Sequence, residues 1–172
     1  MPGIIDVNVN ATQTPSPQAA IFWTKIGHSL FSRFLSMHVL PSAPCPCGRT
    51  SAKGKAFSYA DCCARFVEHW DTTPAPDAEH LMRSRYSAFV VEDAPYLLAT
   101  WHSSQRPADL DFEPGAKWLG LSIKDFTTTG AASAGVEFVA RFRVGGRAGR
   151  LHERSRFAQE DGRWYYVDGE QF

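Results

Sequence analysis

Outside the short stretch from Cys45 to Cys63, the 172-residue sequence contains no cysteine. A secreted domain stapled by disulfides spreads its cysteines along the chain, so this clustering argues against that class and for metal binding. Net charge is also missing. Eighteen Lys+Arg balance eighteen Asp+Glu, which removes the long-range attraction of a dedicated nucleic-acid or membrane-surface binder, although local patches remain open. No run approaches the roughly 18 apolar residues of a membrane span. Met1 to Thr14 has neither Lys nor Arg and so lacks the charged start of a secretory signal. These absences place the chain in the cytoplasm. There is no internal repeat, no phosphate-binding loop and no nucleophile triad pattern. What is present is 44% hydrophobic and 13% aromatic content, enough for one sizeable core with an appendage.

Composition divides the chain into three parts. Residues 1–40 form an N-terminal extension, whose first 18 or so are rich in Asn, Thr, Pro, Ser and Gln and are expected to be disordered. From Ile21 to Met37, Phe22, Ile26, Leu30 and Phe34 recur at four-residue spacing, the stripe of a short helix packing on the body, or of a membrane or partner helix. Met37 stands just before the cysteines, and a chain beginning there keeps every motif discussed below. Residues 41–70 form the cysteine module, with a Pro-rich linker from Asp71 to Asp77. Residues 71–172 form the main domain. There, Met82, Tyr86, Phe89 and Val90 share one face of a helix capped by Asp77, and a second short helix covers Ala94 to Trp101.

Beyond Trp118 the period shifts from about 3.6 to 2. Trp118 to Phe126 reads as a strand, and Val136, Phe138, Ala140, Phe142 and Val144 alternate with mostly polar residues. Gly145-Gly146 and Asp161-Gly162 suit two-residue hairpin turns. Helices followed by about four antiparallel strands make an α+β fold, with helices against one face of the sheet.

The cysteine pattern is Cys45-Pro46-Cys47-Gly48, then Cys62-Cys63. Four thiolates around one zinc ion leave no open position for water, so such a site holds structure. Adjacent cysteines on a strand would point to opposite faces. A helix start beginning at Ser58 to Asp61, which resembles a capping box, would instead let both lean to one ion, backed by Tyr59, Phe66 and Val67. Arg49, Lys53, Lys55 and Arg65 are placed to offset the thiolate charge. The alternatives are a redox pair, for which the C-x-C spacing is a poor match, or unrelated buried thiols.

These residues resemble the SEC-C motif, a zinc-binding module known from the tail of the bacterial protein-translocation ATPase, where it contacts an export chaperone and ribosomes. The stretch from Arg49 to Asp61 is longer here than that motif usually has. Further segments, Glu79 to Phe89, Tyr96 to His102, Val136 to Phe142, His152 to Phe157 and Trp164 to Gly169, are similar to the YchJ family of uncharacterised bacterial proteins. That resemblance implies a domain like nuclear transport factor 2, a cone of curved antiparallel sheet wrapped on helices.

Pairing outward from the two turns predicts Phe138 opposite Glu153, Ala140 opposite Leu151 and Phe157 opposite Tyr166, with Gln159 opposite Trp164. Glu153 then lies among apolar side chains and must gain a partner or stay protonated. The candidates to meet it are His80, Arg83, Arg85 and His102; Tyr86, Trp101, Phe157, Trp164 and Tyr166 complete the candidate pocket. A buried ion pair joining helix to sheet is the plainer outcome. On the opposite face Arg150, His152, Arg154 and Arg156 form a basic row near Arg141 and Arg143. The sequence therefore supports a zinc-stabilised adaptor for a protein or ribosomal partner. The alternatives are a small-molecule or enzymatic cone using Glu153 and His102, and an RNA binder using the Arg150 to Arg156 row, which zero net charge disfavours.

Overall fold

A computed structural model describes residues 39–172. The disorder expected over about residues 1–18 and the helix expected over Ile21 to Met37 lie outside the described residues. The first regular element is a π-helical turn, Ala60–Ala64, running directly into α1, Arg65–Val67. The capping box is only half made. Ser58 Oγ accepts the Asp61 N–H at 3.1 Å, but Asp61 returns to the Ser58 hydroxyl, at 2.6 Å, rather than to its backbone.

Helix α2 spans Ala78–Val91 and begins where the sequence places it, with Asp77 accepting the His80 N–H at 2.8 Å. It ends at Glu92, whose left-handed φ of 58° turns the chain into α3, Ala94–Ala99, capped by Asp93. The second helix is shorter than expected. Thr100 turns its hydroxyl back onto the Tyr96 carbonyl, and Trp101 leaves the helix to bridge Tyr166. The Tyr166 N–H bonds the Thr100 carbonyl at 3.0 Å, and its own carbonyl accepts from His102 at 2.7 Å.

Four strands follow in an antiparallel meander: β1 Lys117–Gly130, β2 Ser133–Val144, β3 Arg147–Glu160 and β4 Arg163–Gln171. β1 runs past the expected Phe126, because Thr127 and Thr128 continue the ladder to a turn at Ala131 and Ala132. The expected register is found, with Val144 opposite Arg147, Phe138 opposite Glu153 and Phe157 opposite Tyr166. Three irregularities in β1 and one in β4 bend the sheet.

The concave face presents Val136, Phe138 and Ala140 from β2 and Leu151, Ser155 and Phe157 from β3, all buried. Against it packs α2 through Leu81, Met82, Tyr86 and Phe89. The cysteines, Tyr59, Phe66 and Val67 belong to the same continuous core. The linker is held as well, since Arg163 of β4 donates to the carbonyls of Trp70 and Asp71. No helix among the described residues is long and apolar enough to cross a membrane.

Candidate functional site

The spacer between the cysteine pairs folds back on itself. Thr50 bridges Ala56 and Pro44 bridges Ser58, while the Cys45 N–H bonds the Phe57 carbonyl at 2.9 Å. Gly48, at φ 69°, closes a tight turn in which its N–H reaches the Cys45 carbonyl. Cys62 and Cys63 return on the π-helical turn, where the widened backbone carries both adjacent side chains to one side.

The result is four buried sulfurs within 4.8 Å of one another, with Cys47 Sγ 3.6 Å from Cys62 Sγ and Cys62 Sγ 4.0 Å from Cys63 Sγ. Four thiolates at about 2.3 Å from a tetrahedral ion stand about 3.8 Å apart. The donor set therefore fits one metal ion. Without a cation the sulfurs cannot all ionise. Hydrogen bonding with Cys47 leads the causes that hold the Cys45 thiol well below its ordinary range. The contact with Cys45 leads those that push Cys62 and Cys63 well above it. A divalent ion resolves the conflict by stabilising all four as thiolates.

The surroundings differ from expectation. Arg49 donates to His80 Nε2 at 2.6 Å and lies over Phe57, Arg65 lies over Phe66, and Lys53 and Lys55 are exposed; none contacts a sulfur. Instead α2 supplies the neighbours. The Ser87 hydroxyl lies 3.8 Å from Cys45 Sγ, and Arg83 donates to the Cys47 carbonyl at 3.3 Å while its Nε bonds Glu79. Sequence reasoning missed Ser87. Five residues past Met82, it stands about 140° around the helix from the expected apolar face, so helical periodicity did not point to it.

The interior of the cone holds a second cluster. Arg85 is 3% exposed and Glu153 2%. Arg85 donates to the Leu97 carbonyl at 2.7 Å and to Thr100 Oγ1 at 2.8 Å, and its guanidinium sits over the rings of Trp101 and Tyr166. Burial lowers its pKa to about 10, so it remains a cation at neutral pH. Glu153 Oε1 accepts from Ser155 at 2.7 Å and from Tyr166 at 3.2 Å, whereas its Oε2 has no partner among the described residues. Burial raises the Glu153 carboxyl above the usual range. A cavity of about 30 Å³ adjoins these groups, room for about two waters.

Of the candidate pocket residues, Arg85, Tyr86, Trp101, Glu153 and Tyr166 line this cavity. Phe157 is buried on the same face, its ring 5.8 Å from that of Tyr166, but does not line it. Trp164 borders a separate cleft with Phe66 and Trp70. The expected ion pair between helix and Glu153 is not formed among the described residues: Arg85 lines the same cavity but stands outside ion-pair distance, and the other three expected partners lie elsewhere. His80 is held by Asp77 at 2.8 Å and by Arg49, Arg83 faces the cysteine module, and His102 bonds Glu160 at 3.0 Å and Ser104 at 2.7 Å. The reason is geometric: α2 carries residues 80 and 83 to the module side, and the bridge from Trp101 to Tyr166 sends His102 outward.

Comparison with known proteins agrees with both halves. Residues 77–169 match the family model "YchJ, middle NTF2-like domain". The chain is 60% identical over 133 residues to a UPF0225 protein of Polaromonas sp. JS666, covering 77% of this chain and 96% of the relative. A UPF0225 protein of Bordetella pertussis is 54% identical over 135 residues, covering 76% and 96%. A solution structure of a SEC-C motif containing protein from Rhodopseudomonas palustris superimposes with a TM-score of 0.64 at 34% identity, covering 76% of this chain and 99% of that one. A crystal structure of a SEC-C motif containing protein from Psychrobacter arcticus gives 0.64 at 29% identity, covering 74% and 82%. The four-cysteine cluster precedes the matched middle domain, and the chain belongs to the YchJ family of UPF0225 proteins, with a curved NTF2-like sheet behind a SEC-C module.

Proposed function

We propose that Cys45, Cys47, Cys62 and Cys63 bind one zinc ion, and that the protein is a zinc-stabilised adaptor whose module docks on a protein or ribosomal partner. The observation that carries this reading is the burial of all four sulfurs within 4.8 Å. A full set of thiolates leaves no coordination position for substrate, so the ion organises a surface rather than performing chemistry. Leu40, 69% exposed, and Trp70, 43% exposed, flank the module and give it apolar contact area. Four free thiols held as ligands suit the reducing cytoplasm.

Metal analysis of the purified protein tests the first half: one zinc per chain is expected, lost when Cys45 and Cys47 become Ser. An affinity pull-down with the same pair of proteins tests the second. Partners that disappear with the metal support the adaptor; a partner set indifferent to the substitutions removes it.

A second reading, small-molecule binding inside the cone, is favoured by the unpartnered Glu153 Oε2 beside a cavity. Its enzymatic form needed His102 as the companion group. His102 is engaged with Glu160 and Ser104 instead, which leaves the buried carboxyl without that acid–base partner.

A further inference from the structure

Charge on the convex face of the sheet is zoned. At one end Glu137 accepts from His152 at 2.8 Å and from Arg154 at 2.6 Å, and Asp168 holds Arg156. Toward the β2–β3 turn the pattern changes. The register sets Lys117 of β1 beside Arg143 of β2, and Arg141 of β2 directly opposite Arg150 of β3. All four are exposed, and among the described residues none has a carboxylate within ion-pair distance. Exposed Arg147 stands at the turn itself.

Like charges directly opposite on a sheet are destabilising. The same sheet places Glu137 opposite Arg154, so uncompensated cations are not a general feature of this face. Folding alone gives no reason for Arg141 and Arg150 to meet. Strand neighbours about 5 Å apart and same-face neighbours about 7 Å apart confine the four cations to a patch about 10 Å across. Three of them are arginines, whose planar forks match phosphate oxygens in pairs. Two residues along β3 from Arg150, His152 packs on Phe172 with ring centroids 4.9 Å apart, and Phe172 is 62% exposed. Arg154 also lies over this ring, 5.8 Å from its centroid, and the exposed remainder of an aromatic ring beside a cationic patch is a surface on which an unpaired base stacks while its backbone follows the charges.

We infer that this convex face binds single-stranded nucleic acid, with Lys117, Arg141, Arg143 and Arg150 on the phosphates and Phe172 under a base. Neutral composition hides the patch, because the compensating acids lie elsewhere on the molecule.

Fluorescence anisotropy of a labelled ten-nucleotide oligouridylate with the full chain, over a salt series, tests it. Three or four phosphate contacts predict a slope of log affinity against log salt of about −2 to −3. The double substitution Arg141→Glu with Arg150→Glu is expected to abolish measurable binding. The milder Arg141→Gln with Arg150→Gln keeps the fold in play and should flatten the slope by about 1.4. The double substitution Arg156→Gln with Asp168→Asn, which removes a compensated pair at the other end, should leave affinity within about two-fold, since the local net charge is unchanged. Absence of binding at low salt, binding indifferent to salt, or equal damage from Arg156→Gln with Asp168→Asn would overturn the assignment. So would competition by polyglutamate at the same charge concentration, which would give the face to an acidic polypeptide.

Discussion

Burial pushes the Glu153 carboxyl upward against the pull of hydrogen bonds from Ser155 and Tyr166 and the charge of Arg85. Between the ordinary glutamate value and the raised one, the folded chain therefore binds more protons than the unfolded chain. The contribution of this group to stability is present at acid pH and is lost as pH rises through the folded value. Glu153→Gln, which cannot ionise, should gain stability relative to the wild type in urea unfolding as pH rises above the ordinary glutamate range. A difference independent of pH would mean the carboxyl is not the titrating group. Gly169 explains how the side chain fits. A Cβ there would lie 2.2 Å from Glu153 Oε1, so Gly169→Ala should cost about 1 to 3 kcal/mol. In a Glu153→Ala background most of that cost should vanish, which a double-mutant cycle in denaturant would show. The partners of Glu153 were legible only in part. Periodicity put it on the concave face, but its hydrogen bonds come from Ser155 and Tyr166 of the sheet rather than from a helix, an outcome set by how α2 rotates over the sheet.

Among the elements, α2 joins everything else. Asp77 caps it and also holds His80 Nδ1 at 2.8 Å, and His80 Nε2 in turn receives Arg49 from the cysteine module. Asp77→Ala should destabilise by about 1 to 2 kcal/mol, with Asp77→Asn recovering most of it through the retained cap, as measured by chemical denaturation. Equal losses in both variants would point to the His80 link instead of the cap. The hairpins were readable from sequence because two-residue turns fix register outward from themselves. The irregularity between Arg156 and Phe157 was not, and it has consequences. It sets Asp168 opposite Arg156 on the convex face and brings Gly169 opposite Ser155, beneath Glu153. A bulge depends on how a strand must bend to follow its neighbour, which local sequence does not encode.

For the whole molecule, the cysteines and the sheet share one core, tied by Ser87 near Cys45 and by Arg83 on the Cys47 carbonyl. A metal held by the cysteines as proposed would brace this shared core, so stripping it should weaken the entire fold. With a chelator, thermal unfolding followed by far-UV circular dichroism should remain a single transition whose midpoint falls by about 10 °C or more. A small early transition with the main one unmoved would show a module that folds apart from the body. The sequence by itself determined the four clustered cysteines, the helix starts, the order of strands and the inward direction of Glu153, because these follow from spacing, caps, turn chemistry and a two-residue period. Only the tertiary structure decided which side chains surround the sulfurs, that His102 faces away from Glu153, and that the basic row divides into a paired and an unpaired end. Those outcomes depend on the rotation of a helix, the site of a bulge and the neighbour across a strand. Distances of that kind arise only when separate elements pack.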